Sequence, residues 1–258
     1  MSLHAIALLI PVGLFAGMLL CLYIGLRLGQ REQAKAAEIA HVRLSVVEAT
    51  VFGLMGLYIA FTFFGAAQRY ELRRQLTVDE ANAIGTSYLR LDVLPISRQA
   101  ALREKYRRYV EARLAVYRVL PDIEASTEQA TIATALQQEI WAETIAALAE
   151  APSYAPGVVI PALNQMIDVT TSRAIAALTH TPLLIMARLS ILGFACSLLA
   201  GYVIAGSQTR LVGLHVLAFA LMMTTTIYLI IDLDFPRFGF IRLDFADQGL
   251  LDLLARMK

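Results

Sequence analysis

LSVVEATVFGLMGLYIAFTFFGAAQRYELRRQLTVDEANAIGTSYLRLDVL, residues 44–94, decides the fold. Its first half, Leu44 to Ala67, carries one charge, Glu48, and closes on the aromatic cluster Phe61, Phe63 and Phe64. A bilayer core about 30 Å thick is crossed by roughly 20 apolar residues rising about 1.5 Å each, so this half reads as a membrane span. The second half turns polar at Gln68, yet no proline interrupts it before Pro95 and Gly85 is its one breaker. The stretch therefore predicts a single helix that begins as a span and runs on into a folded region as far as Leu94.

Outward from it, Leu3–Leu26, Pro182–Ala205 and Leu211–Ile231 are apolar runs of similar length. The first exceeds the h-region of a signal peptide, about 7 to 15 residues, and has neither a basic n-region nor a small-x-small cleavage site, so it is expected to stay as a span. The last two are joined only by Gly206-Ser207-Gln208-Thr209-Arg210, which predicts a tight antiparallel hairpin. Composition agrees with a chain embedded in lipid: of 258 residues 58% are hydrophobic, and the mean hydropathy is +0.61. A formal net charge of +1 gives no basic surface for nucleic acid, which is not an expected partner. Cys21 and Cys196 both sit in apolar runs and supply neither a disulfide framework nor a zinc site.

Residues 68–181 keep helical periodicity with clear punctuation, the mark of a folded insert rather than a linker. Ser97 is the expected N-cap of a helix ending before Pro121, with Leu102, Tyr106, Tyr109, Val110 and Tyr117 at helical spacing. Ser126-x-x-Gln129 resembles a capping box for the next helix, ending before Pro152. Pro161 fits the first turn of a further helix running through Leu163, Met166, Ile167, Ile175 and Leu178. Charge divides the insert. Arg98 to Arg118 holds seven Lys or Arg, whereas Val119 to Ser172 holds none against seven acids. A basic helix followed by an acidic one is expected to pack antiparallel, burying Tyr106, Tyr109 and Tyr117 with Ile132, Leu136, Ile140 and Leu148.

These expectations define an all-α integral membrane protein with four transmembrane helices. Its divisions are residues 1–67 (spans one and two), 68–181 (a helical soluble domain), 182–232 (the hairpin of spans three and four) and 233–258 (a tail). Ionisable groups inside spans are costly and should face protein or water. Glu48 is either an interfacial residue or part of an ion path, Arg188 an interfacial anchor or an anion site, and His215 a structural histidine or a proton relay. The Thr224–Thr226 run can bond back to its own helix. Gly193, Ser197, Gly201 and Ala205 recur at four-residue spacing and form a stripe for close helix packing, with Gly13-x-x-x-Gly17 a weaker instance. The four histidines are scattered and no nucleophile elbow, phosphate loop or dinucleotide fingerprint occurs, so catalytic residues, a metal site and a cofactor are not expected.

Arg69-Tyr70-Glu71-Leu72-Arg73-Arg74, then Asp79-Glu80-Ala81-Asn82-Ala83-Ile84-Gly85-Thr86, then Tyr88-Leu89-Arg90 up to Leu94-Pro95, resembles a bacterial membrane family once known only as DUF4239 and now described as bestrophin-like. Asp232-Leu233-Asp234-x-Pro236-x-x-Gly239-x-Ile241-Arg242 is a second matching patch, with Phe235 standing where the family often has Arg. The resemblance implies a distant relative of the bestrophins, which are pentameric anion channels with four spans, a helical domain between spans two and three, and a pore lined by span two. It implies a homo-oligomer in a bacterial inner membrane, with lipid, other copies and small inorganic ions as partners. The bestrophin neck and filter motifs have no recognisable counterpart here. Pore candidates are therefore read from helical spacing as one stripe of span two: Glu48, Phe52, Met55, Ile59, Thr62, Ala66, Arg69 and Arg73. The competing reading is a membrane-anchored signalling or interaction protein without conductance.

Overall fold

The computed structural model describes residues 3–33, 38–120, 122–205, 212–236, 239–243 and 247–257, without the side chains of 3–8, 32–33, 38–47 and 212. The expected hairpin loop Gly206–Arg210, Pro121 and the side chains of His4 and His41 lie outside the described residues. All regular structure in them is helical. Four helical segments are long and apolar enough to cross a membrane, lying in Leu9–Arg31, Glu48–Val93, Ala155–Ile204 and Gly213–Asp234. Between 11% and 22% of their apolar windows is buried within the single chain, so most of that surface needs lipid or another protein to cover it.

The chain divides into two compact units, Met1–Tyr70 with His180–Ile241 and Glu71–Thr179 with Arg242–Lys258. The first contains α1 (Leu3–Gln33), the first part of α2 (Glu38–Leu89), α6 (Leu183–Ile204) and α7 (Val212–Asp234). Its core joins Met18 and Leu22 of α1 to Leu189 and Cys196 of α6 and Ile227 of α7. Helices in lipid gain little from hydrophobic exclusion and associate by close contact at small residues. Gly201 of α6 lies on the Leu22 carbonyl, Gly25 of α1 on the Leu198 carbonyl, and a methyl at Gly29 would stand 2.6 Å from both the Tyr202 carbonyl and the Ala205 methyl. Gly193 faces Met18 and Ile227, and the Ser197 hydroxyl donates to its carbonyl at 2.8 Å. On α1 the pairing differs from the sequence expectation. Gly13 has no neighbour within 4 Å, and the close approach is made by Gly25 and Gly29, with Gly17 touching only the Phe194 ring.

The second unit contains the remainder of α2, a 3₁₀ turn at Arg90–Val93, α3 (Ile96–Arg118), α4 (Ile123–Leu148), α5 (Ala155–Leu178) and α8 (Gln248–Arg256). Three helix starts fall earlier than the caps read from sequence. Pro95 precedes α3 and its carbonyl takes the first hydrogen bond, from Arg98 N at 2.9 Å, which leaves Ser97 inside the helix. Asp122 caps α4 by accepting from Ala125 N at 3.0 Å, so Ser126 is already helical and donates to the Val116 carbonyl instead. In α5 the proline of the first turn is Pro156, and Pro161 lies within the helix.

Tyr106 and Tyr109 of α3 are buried with Leu136 and Ile140 of α4, while Tyr117 and Leu148 are half-buried. Ile132 points outward, 40% exposed, contrary to its expected place in this core. Lys105 pairs with Glu139 and, at 3.2 Å, with Glu143, and Arg98 pairs with Glu150, so basic and acidic helices do meet along their edges. Exposed pairs contribute only about 0–1 kcal/mol each, which leaves the apolar seam as the main adhesive and the charges as its register. From Arg242 on, the segment read as a tail is part of this unit: Leu250 of α8 and Met257 just after it close the core beside Leu91, Leu102 and Ile84.

Candidate functional site

On α2 the stripe read as pore-facing splits. Met55 at 2% and Ala66 at 0% exposure are closed inside the chain, as are Glu48 and Arg73, and Phe52, Ile59, Thr62 and Arg69 are half-buried. Phe52 meets Phe219 of α7 edge to face with centroids 6.1 Å apart, and the Thr62 hydroxyl donates to the Tyr58 carbonyl at 2.8 Å. The face turned away is apolar and open: Leu54, Leu57, Phe61 (69% exposed) and Phe64 (61% exposed) follow at three- or four-residue spacing.

Below this face α2 is fastened by charge. Arg69 Nε donates to Asp234 Oδ1 at 2.6 Å, and a second guanidinium nitrogen reaches the Thr181 hydroxyl. Asp234, with no solvent exposure, also accepts from Thr181 N at 2.7 Å, and its carbonyl lies 2.9 Å from His180 Nδ1. One carboxylate thus joins the middle of α2 and the end of α7 to the link ahead of α6. Phe235 stacks on the His180 ring at 4.4 Å. The ion pair to Asp234 comes from Arg69. Asp232 accepts from Phe240 N at 3.0 Å and Ile241 N at 2.8 Å, and a methyl on Gly239 would collide with its carboxylate, so only glycine closes this turn.

In the second unit the same motif goes on fastening. Arg73 donates to the Ala176 and Thr179 carbonyls, at 3.0 and 2.6 Å, and so caps the C-terminal end of α5 with positive charge. Glu80 is completely buried between Arg113, at 2.6 Å, and Arg173, and Arg173 also reaches Asp247 at 3.0 Å with its guanidinium 3.9 Å over the Tyr117 ring. Burial alone would raise the Glu80 pKa, but the two guanidinium groups outweigh it and hold this carboxyl below the usual carboxylate range. Burial pushes the Tyr109 hydroxyl up to about 12, and it is spaced 3.0 Å from Thr170 Oγ1. Glu80, His180 and Thr181 carried no assigned role in the sequence reading. Glu80 does lie in the first familiar patch, and its place one helical turn from Leu76, Ala83 and Ile84 is the available signal.

Of the other singled-out residues, Arg188 is exposed with its guanidinium 5.9 Å over the Tyr58 ring, and His215 is exposed on α7. Thr225 and Thr226 donate back to the Leu221 and Met222 carbonyls, each at 2.8 Å, whereas Thr224 is buried against Met18.

The Bestrophin-like domain matches residues 12–244 of this sequence. Among solved structures, a bacterial Bestrophin homolog from Klebsiella pneumoniae superposes in several single-residue variants. One has a TM-score of 0.70 at 14% identity, covering 95% of this chain and 97% of that one. Two others give 0.69 at 12% identity (94% and 98% covered) and 0.67 at 14% identity (95% and 99% covered). At such identities the shared property is the fold. No curated protein matches the sequence.

Proposed function

The chain belongs to the bestrophin-like family, and from that premise we propose that it is an ion channel of a bacterial inner membrane, assembled from several copies around a path lined by α2. Kinship favours five copies and small anions as the permeant species. The observation that carries the reading is the open, uncharged face of Leu54, Leu57, Phe61 and Phe64 on a helix whose opposite face is held by Met55 and Ala66. Repeated around an axis, the open face becomes successive apolar rings, which gate by dewetting when narrow. The stripe from Glu48 to Arg73 then serves to seat α2 in its own subunit. Small residues at Gly53, Gly56 and Ala60 lie on exposed parts of the same helix and let neighbouring copies approach.

Recordings from the purified complex in planar bilayers test this. Phe61→Ser wets the narrowest expected ring and should raise unitary conductance several-fold, whereas Ile59→Ser, on the seated side, should lower stability instead. Replacing chloride with a large organic anion should collapse the current. An assembled complex that carries no current before or after Phe61→Ser would overturn the channel reading and favour a membrane-anchored interaction protein.

A further inference from the structure

We propose that Arg188 supplies the anion-selecting charge of the channel: one guanidinium from each copy stands beside the apolar face of α2, and the set of them draws a small anion such as chloride towards the constriction. This rests on the channel reading of the preceding section and adds the residue that chooses the ion.

Arg188 is the only Lys or Arg in the four apolar runs of the sequence. It follows Leu183, the first residue of α6, by five positions, which at about 1.5 Å per residue sets it about 7.5 Å beyond the start of the helix. The surface around it is apolar and open, with Leu183 and Leu184 before it 82% and 79% exposed and Ile191 after it 65% exposed. The charge therefore lies inside the apolar band rather than at its rim. A cation facing hydrocarbon is costly, so basic residues within spans turn to protein or to water and mark ion pathways. Its own subunit does not neutralise it. Arg188 is exposed, enters no ion pair among the described residues, and has the Tyr58 ring as its contact, 5.9 Å from the guanidinium carbon to the ring centroid.

That contact fixes where the charge stands. The Tyr58 hydroxyl donates to the Ile185 carbonyl at 3.2 Å, which pins α2 to α6 and holds the ring under the guanidinium. On α2, Tyr58 lies about 60° around the helix from exposed Phe61 on one side and from buried Met55 on the other. It marks the edge between the open face and the seated one, level with Leu57 and Phe61. Repeated by symmetry, Arg188 sets a cation beside the apolar rings in every copy. The one acid in the same four runs, Glu48, is closed inside its own subunit and leaves that charge without an offset. Charge of one sign between low-dielectric walls concentrates the opposite ion and repels its own kind. A guanidinium is also more weakly hydrated than an ammonium, so it exchanges water for an anion readily. The phosphate of a lipid headgroup offers the same chemistry, and the test separates the two sources.

Reversal potentials of the full chain in planar bilayers under a potassium chloride gradient give the permeability ratio of chloride to potassium. The parent should favour chloride, and Arg188→Gln should lower the ratio by about tenfold or more. Arg188→Glu should invert the preference, and Arg188→Lys should keep most of it. In lipid vesicles, Arg188→Cys combined with Cys21→Ser and Cys196→Ala should react with a charged, water-soluble thiosulfonate, which a thiol facing acyl chains resists. A parent that favours potassium would overturn the assignment without any variant and leave the ion-channel reading standing. So would an Arg188→Gln channel with the parent's ratio. A thiol at position 188 that stays unmodified in conducting vesicles would overturn it too, by placing the side chain against lipid with a headgroup phosphate as its partner. An assembled parent that carries no current would remove both readings together.

Discussion

Glu80 is the residue on which the second unit turns, because it is a fully buried carboxylate that answers two buried guanidinium groups. Replacing such an ion cluster with apolar groups can be neutral, but deleting one partner strands the charges that remain. Glu80→Gln should therefore destabilise the protein by about 3–5 kcal/mol, read as a lowered thermal midpoint of the complex in detergent. A midpoint within error of the parent would show that Arg113 and Arg173 are satisfied without it. The same carboxylate sets a pH dependence. Its folded pKa is depressed, so its contribution is complete above its unfolded pKa of about 4.3 and is lost as pH falls through the folded value. Below about pH 4 the parent should lose stability faster than Glu80→Gln, whose amide does not titrate in this window. Parallel losses in both proteins would assign the acid sensitivity elsewhere. At this scale the sequence was partly legible. Arg69 and Asp234 stood in two patches that resembled one family, but their pairing across 165 positions has no local signature. Glu80 escaped notice because side-chain burial is decided by α3, α5 and the segment before α8, none of which lies near it in sequence.

Elements were read more surely than their ends or their partners. The long α2 follows from an apolar run that passes into a polar helix without a proline, and both halves of that pattern are local. Helix starts depend on which of several competing side chains reaches a free N–H first, and Asp122 preceded Ser126 by four positions. Packing partners are harder still, since any small residue four positions from another looks alike. Gly13–Gly17 and Gly25–Gly29 carry the same spacing, yet only the second pair lies against backbone. Gly25→Ala must push α1 away from the Leu198 carbonyl, whereas Gly13→Ala enters open space. The first should cost about 1–3 kcal/mol and the second almost nothing, or a slight gain from better helix propensity. Heating the two variants side by side and following the loss of the monodisperse complex by size-exclusion chromatography separates them. Equal midpoints would mean that α1 and α6 tolerate a wider spacing.

For the molecule as a whole, what the sequence made legible was the set of four helical segments long and apolar enough to cross a membrane, since length and apolarity are additive along the chain. Topology needs a further step. Four crossings would place residues 68–181 and 233–258 on one side of the membrane and the connections near residues 27–43 and 206–210 on the other. Cytoplasmic segments are richer in Lys and Arg close to the span ends, whatever those side chains later bind. Arg27, Arg31, Lys35, Arg43 and Arg210 lie on one side, against Arg69, Arg73, Arg74, Arg173, Arg237 and Arg242 on the other. The difference is small, but it favours the side that carries the helical insert, so the second unit is predicted to face the cytoplasm. Ser97 is exposed at the start of α3. Ser97→Cys should therefore resist a membrane-impermeant maleimide in intact cells and react once the membrane is permeabilised. Both native cysteines sit on helices of the first unit that are long and apolar enough to span, and the parent chain corrects for any labelling they contribute. Full labelling of Ser97→Cys before permeabilisation would reverse the topology. It would also place the connections near residues 27–43 and 206–210 in the cytoplasm, where their five basic residues would then have been the decisive signal.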